Sequence, residues 1–247
     1  VEIVIAASYS EMSRRAAALV ADRVRTDPAL VLGLATGRTP VGLYAELVSL
    51  YRRKGLDFSR VVTFNLDEYL GLPPDHPWAF RRYMDRHLFG HVNLDPSNIH
   101  FLKGVTTDPE EECRCYEEAL RAAGGIDLQV LGIGRNGHIG FNEPGTSFEC
   151  GTHVVTLKKS TLIDNFGRFD DVPKEALTMG ISTIMRSREI LLLASGSDKA
   201  EAVARTVGGP VTTEVPASVL QRHPRVTMIL DEAAAARLRR RAARGAS

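Results

Sequence analysis

Cysteine is scarce: Cys113, Cys115 and Cys150 are all that the chain contains. Their number is odd and their spacing fits no zinc motif. Neither a disulfide framework nor a structural zinc site is therefore expected, and a reduced, cytoplasmic compartment is the simplest reading. Cys113-x-Cys115 falls in a charged helical stretch and reads as two surface thiols. Excess charge is also missing. The 31 Lys and Arg residues against 30 Asp and Glu leave a net charge of +1, with no broad basic field for nucleic acid. No apolar run approaches the roughly 20 residues that cross a bilayer, so no membrane partner is expected. Residues 1–5 (V-E-I-V-I) read as a strand and lack the basic flank of a signal peptide. There is no H-E-x-x-H, no internal repeat and no low-complexity tract. Only the tail from Ala233 is biased; it reads as a closing helix with a basic end too short to hold nucleic acid.

What is present is an ordinary globular balance, 44% hydrophobic and 25% charged, enough for one large α/β domain or two small ones. A single domain over residues 1–247 is expected. Apolar runs at 1–6, 30–34, 61–65, 98–102, 127–131, 153–157, 176–179, 189–194 and 226–230 read as strands. Helical patterns separate most of them. Ser8 to Glu11 has capping-box spacing, Thr39-Pro40 reads as an N-cap followed by a first helical residue, and Asp108-Pro109-Glu110-Glu111 opens another helix. Alternation of this kind predicts an α/β fold: a Rossmann-like, open, mainly parallel sheet with helices on both faces.

The chain is organised around residues 130–145, V-L-G-I-G-R-N-G-H-I-G-F-N-E-P-G. Four glycines follow a buried strand, and His138 and Glu143 sit among them. Gly132, Gly134 and Gly137 match G-x-G-x-x-G literally. A dinucleotide fingerprint should open a helix directly and carry an acid about twenty residues on. Here Pro144 interrupts, and Thr156, Leu157 and Lys158 stand where the acid should be, so a nicotinamide site is not expected. A titratable pair in a loop just past a strand end is where an open α/β sheet binds its ligand.

Two further loops repeat the strand–loop–helix pattern. In A-T-G-R-T-P, residues 35–40, Thr36 and Thr39 offer hydroxyls and Gly37 allows close approach. The helix N-terminus behind them favours an anion. The loop lacks the lysine of a nucleotide-binding P-loop, so a sugar phosphate suits it better than ATP. In S-G-S-D-K, residues 195–199, Lys199 falls in the first turn of a helix, a position that a bound anion would favour. Between these, Asp67 and Glu68 follow the third strand. One of the two can face a cleft as a general base while the other makes structural contacts.

Five segments carry a family resemblance: L-G-L-A-T-G-R-T-P, F-N-L-D-E-Y-L-G-L, G-I-G-R-N-G-H-I-G-F-N-E-P, A-L-T-M-G and G-S-D-K-A. In this order, and spread over nearly the whole chain, they resemble the glucosamine-6-phosphate deaminase family, within a larger group that includes the 6-phosphogluconolactonases. The lactonases look like G-H-T-A-S-L-F-P where this chain has G-H-I-G-F-N-E-P, and they lack Glu143. The resemblance implies that Asp67 moves a proton between C2 and C1, that His138 opens the sugar ring, and that Glu143 is its partner. Asn136 stands where some members have an aspartate in that relay, which implies a less basic His138. Thr36, Gly37, Arg168 and Lys199 fall where the family binds phosphate. Arg38, Thr39, Glu68 and Gly137 complete the expected substrate contacts, Arg38 in place of a small residue.

The chemistry suits these residue types. The substrate's own C1 aldehyde is the electron sink, so no metal and no cofactor are expected. A galactosamine phosphate deaminase, a lactonase-like relative and a non-catalytic sugar-phosphate sensor remain alternatives. Some members are hexamers activated by N-acetylglucosamine 6-phosphate. The basic residues of that site correspond to His153 and Val155 here, and the chain lacks the longer C-terminal segment. A monomer or small homo-oligomer without this activation is therefore expected.

Overall fold

The computed structural model describes residues 1–158 and 172–238. Strands β1 (Glu2–Ala6), β2 (Val31–Leu34), β3 (Val62–Asn65), β4 (Asp67–Tyr69), β5 (Ile99–His100), β6 (Leu128–Leu131), β7 (His153–Thr156), β8 (Glu175–Thr178), β9 (Glu189–Ala194) and β10 (Val226–Asp231) form two sheets. Seven of them, in the order β1-β10-β9-β6-β2-β3-β5, make one sheet in which every pairing is parallel. The helices are α1 (Tyr9–Thr26), α2 (Val41–Lys54), α3 (Phe80–His87), α4 (Pro109–Ala122), α5 (Ile181–Met185) and α6 (Ala200–Gly208). The α/β expectation holds.

The inner strands β10, β9, β6, β2 and β3 are buried on both faces, which is why they read as continuous apolar runs. Alternation along β9 divides the core. Ile190, Leu192 and Ala194 face one side, with Cys113, Tyr116 and Leu120 of α4 and Val203 of α6. Leu191 and Leu193 face the other, with Met12, Ala16 and Val20 of α1 and Leu43 and Leu47 of α2. Helices therefore cover both faces. Cys113 is not a surface thiol: its side chain belongs to the first core, while Cys115, two residues on, is exposed.

After β2 the chain builds β3 and β5 on one side, then crosses to place β6 on the other side of β2. The pairing of β2 with β6 runs through only two residue pairs, Leu32 with Leu128 and Gly33 with Gln129. Such a reversal of strand order leaves a crevice beyond the carboxyl ends of the strands.

Two local expectations change. Asp67 to Tyr69, expected only to follow the third strand, forms a strand of its own. It pairs antiparallel with β8, which pairs antiparallel with β7, giving a second, three-stranded sheet above the tip of β3. Helix α2 begins at Val41, with Pro40 as its N-cap and no side-chain capping bond. Thr39 is not the cap, because the Tyr9 hydroxyl of α1 accepts the Gly42 N–H instead, at 2.7 Å. The Ser8 and Asp108 caps are as expected, each accepting from the N–H three residues on. A 3-10 helix at Pro216–Arg222 has no counterpart in the sequence pattern. Residues 159–171, which include Arg168, and the tail beyond residue 238 lie outside the described residues.

Candidate active site

Four neighbouring strands of the sheet, β9, β6, β2 and β3, each end in one of the loops singled out by their residues. A cavity of about 1080 Å³ lies over these tips. Its walls include Thr36, Gly37, Arg38 and Thr39 after β2, Asp67 after β3, His138 after β6 and Lys199 after β9. Arg168 lies outside the described residues.

Asp67 sits at the junction of the two sheets. The Leu66 N–H donates to the Leu34 carbonyl of the main sheet, and the Leu66 carbonyl accepts from Met179 N–H after β8. Asp67 is 6% exposed, and none of the described residues donates a hydrogen bond to its carboxylate. Burial pushes its pKa up to about 8, and the neighbouring Glu68 carboxylate adds to the shift. An aspartate in this environment binds a proton far more tightly than an ordinary carboxylate, which suits abstraction from carbon.

Glu68 does not reach the cavity wall. Successive side chains on a strand point to opposite faces, so Glu68 turns away from Asp67. Its carboxylate accepts the N–H groups of Tyr69 (2.8 Å), Phe80 (2.9 Å) and Arg81 (2.8 Å). It thereby satisfies the first turn of α3, where Ala79 has no side chain to cap with. Burial raises its pKa, and the three N–H donors oppose that shift. Gly137 also misses the cavity. It has φ +89°, and a Cβ there would lie 2.7 Å from Val215 Cγ1.

His138 is held from behind. Its backbone N–H and its Nδ1 both meet Asn136 Oδ1, at 3.1 and 2.8 Å, and Asn136 Nδ2 donates to Glu143 Oε2 at 2.7 Å. Glu143 Oε1 is 3.6 Å from the same Nδ1. Because the carboxylate can only accept, the Asn136 amide must turn its nitrogen to Glu143 and its oxygen to His138. His138 Nδ1 then carries the proton, which makes Nε2 the acceptor nitrogen of the neutral ring. Asn136 and Glu143 do not line the cavity; they position the ring that does. Gly134 is required by close approach, since a Cβ there would overlap the His138 ring. Gly134→Ala is expected to lower kcat by about 10²-fold through displacement of that ring. Steady-state kinetics beside an unchanged far-ultraviolet dichroism spectrum would check it.

The same cavity is lined by groups suited to an anion. Lys199 ends a 3-10 turn, Ser197–Lys199, that leads into α6, and its Nζ is 3.8 Å from Asp198 Oδ2. Asp231, at the end of β10, fixes this loop by accepting Gly196 N–H and the Ser195 hydroxyl. The loop after β2 is held by three tyrosines. Tyr44 donates to the Ala35 carbonyl, Tyr83 to the Gly37 carbonyl at 2.6 Å, and Tyr9 to the carbonyls of Arg38 (3.3 Å) and Thr39 (3.1 Å). Arg38 is exposed. Among the described residues no group of three His, Cys, Asp or Glu side chains converges as metal ligands, and no helix is long and apolar enough to cross a membrane.

Sequence reasoning missed Tyr9, Trp78, Tyr83, His87 and Arg135, all of which line the cavity. Tyr83 and His87 are four apart on α3, so both face the same way. Nothing in the local pattern tells which way that is.

These features define an α/β protein with a buried aspartate and a half-buried histidine lining one cavity over the strand tips of a parallel sheet. The family model described as glucosamine-6-phosphate isomerases/6-phosphogluconolactonase matches residues 5–229, and the chain belongs to that family. A glucosamine-6-phosphate deaminase of Thermoanaerobacter pseudethanolicus is 52% identical over 237 residues, covering 95% of this chain and 94% of that one. Glucosamine-6-phosphate deaminase 2 of Bacillus subtilis is 50% identical over 243 residues, covering 96% and 98%. A solved structure described as a monomeric glucosamine-6-phosphate deaminase superposes with a TM-score of 0.94 at 47% identity, covering 96% of this chain and all of the other. The 6-phosphogluconolactonase of Trypanosoma cruzi, at 20% identity and a TM-score of 0.77, shares the fold.

Proposed function

We propose that this protein is a glucosamine-6-phosphate deaminase, converting glucosamine 6-phosphate and water to fructose 6-phosphate and ammonia. The observation that carries the reading is that Asp67 and His138 line one cavity, together with the loop at Thr36–Thr39 and with Lys199. Relatives about 50% identical over nearly the full chain are named for the same activity. In this reading the phosphate sits between Lys199 and the loop N–H groups, with Arg38 beside it. His138 Nε2 takes the proton of the anomeric hydroxyl and returns it to the ring oxygen, opening the sugar to its C1 aldehyde. Asp67 removes the C2 hydrogen, which the aldehyde has acidified, and delivers it to C1. The electron pair left at C2 passes into the carbonyl, and proton transfer gives an imine at C2. Water adds there and ammonia leaves.

An ammonia-release assay with glucosamine 6-phosphate tests the reading, and no product from the wild-type protein would end it. Lys199→Ala is expected to raise KM by about 10- to 100-fold, the worth of one charge-assisted contact. Its effect on kcat should be smaller.

The chain is proposed to fold as one domain, to act in the cytoplasm and to be a monomer or small homo-oligomer. The structural relative described as monomeric supports the last point. We also propose that N-acetylglucosamine 6-phosphate does not activate it. A hyperbolic rate curve that the compound leaves unchanged is the expected result; a sigmoidal curve that it straightens would overturn the proposal.

A further inference from the structure

We propose that Tyr83, assisted by Tyr9, is a positioning residue for the phosphate group, acting through the peptide carbonyls of the loop after β2. The inference rests on the phosphate-binding reading of that loop given above.

The argument begins with the peptide unit. In a planar trans peptide the C=O and the following N–H point in opposite directions, and the described chain contains no cis bond. Tyr44 holds the Ala35 carbonyl, so the Thr36 N–H points away from Tyr44. Tyr83 holds the Gly37 carbonyl, so the Arg38 N–H points away from Tyr83. Tyr9 takes the Arg38 carbonyl, so the Thr39 N–H points away from Tyr9. None of the N–H groups of Thr36, Gly37, Arg38 and Thr39 donates to another described residue. A loop of this length can present either carbonyls or N–H groups to a ligand. Carbonyl oxygens would repel a phosphate; N–H groups bind one. The three hydroxyls decide between these states by engaging the carbonyls.

Each hydroxyl is suited to the task. Burial holds the phenols of Tyr44 and Tyr83 above their ordinary pKa, so both remain donors across the working pH range. They come from three different helices, α2, α3 and α1, so the loop is fixed from three directions. Gly37, at φ +96° with no atom within 4 Å of a built Cβ, is the point where the loop could otherwise turn over. Tyr83 holds the carbonyl of that residue. Its ring is in turn packed on His87, with centroids 4.4 Å apart.

Tyr83→Phe keeps the ring and removes only the hydroxyl. The expected result is a rise of about five- to tenfold in both KM for glucosamine 6-phosphate and the inhibition constant of inorganic phosphate, the worth of one hydrogen bond. The change in kcat should stay under twofold and Tm within about 2 °C. Tyr9→Phe should shift the same two constants in the same direction. Trp78 is the chain's single tryptophan and lines the cavity, so its fluorescence gives an independent binding curve for phosphate. If inorganic phosphate inhibits the wild-type protein and Tyr83→Phe leaves that constant unchanged, or lowers kcat alone, the role given to Tyr83 is wrong. If inorganic phosphate neither inhibits the wild type nor alters its fluorescence, and Lys199→Ala leaves KM unchanged, the phosphate reading itself fails and this inference falls with it.

Discussion

Asp67→Asn is expected to turn over glucosamine 6-phosphate at least about 10³-fold more slowly than the parent protein, because the base proposed to move hydrogen from C2 to C1 is gone. The same variant should melt at a higher temperature at pH 8. The sign follows from the raised pKa. A carboxyl of ordinary pKa 3.8 in the unfolded chain and about 8 in the fold binds its proton more tightly when folded. Its contribution to stability is fully present below about pH 4 and is lost as the pH rises toward 8. Above that, the fold carries a buried, ionised carboxylate that asparagine does not have. The gain should be on the order of several kcal/mol at pH 8 and should shrink to nothing near pH 4. Calorimetric scans across that range measure it. A Tm difference independent of pH would show that Asp67 is not ionised at a cost in the folded protein. The catalytic counterpart is an acid limb in the profile of kcat/KM: activity should fall as the pH drops through about 8, where Asp67 gains a proton.

Glu68→Gln is expected to move that limb to lower pH. The Glu68 charge is the second cause of the Asp67 shift, after burial. Removing it lets Asp67 ionise more readily, while burial keeps its pKa well above 3.8. The variant also offers one oxygen to three backbone donors and aims its own N–H groups among them. Loss of these bonds should cost about 2 kcal/mol or more, a fall in Tm of roughly 4–8 °C, partly offset by relief of the buried charge. Because Glu68 anchors the start of α3, and α3 carries Tyr83, KM should rise as well. A pH–rate profile that does not move would mean that Glu68 is uncharged in the native protein.

Much of the fold was legible because the strands of a parallel sheet are buried on both faces and read as uninterrupted apolar runs. Leu30 to Leu34 and Glu189 to Ala194 announce themselves in this way, and the loops after them are marked by glycine and small polar residues. The site residues in those loops followed from family motifs and from position at strand ends. What escaped was long-range. The sequence D-E-Y carries two carboxylates in three residues and does not look like a strand. It becomes one only because β8, more than a hundred residues later, lies beside it. Glu68 was expected at the substrate, but its partners are N–H groups on a helix twelve and thirteen residues away, which no local spacing reveals. The tyrosine clasp joins residues nine to 46 apart, so no short motif records it. Cys113 looks exposed from its charged neighbours, but helical geometry turns it inward.

The small sheet has a consequence for how Asp67 and His138 are held relative to each other. Asp67 lies opposite Thr178 in the antiparallel ladder, and the Thr178 hydroxyl accepts the Phe141 N–H at 3.1 Å, just beyond His138. One threonine thus ties the strand that bears Asp67 to the loop that bears His138, so the small sheet fixes the spacing of these two side chains from behind the cavity.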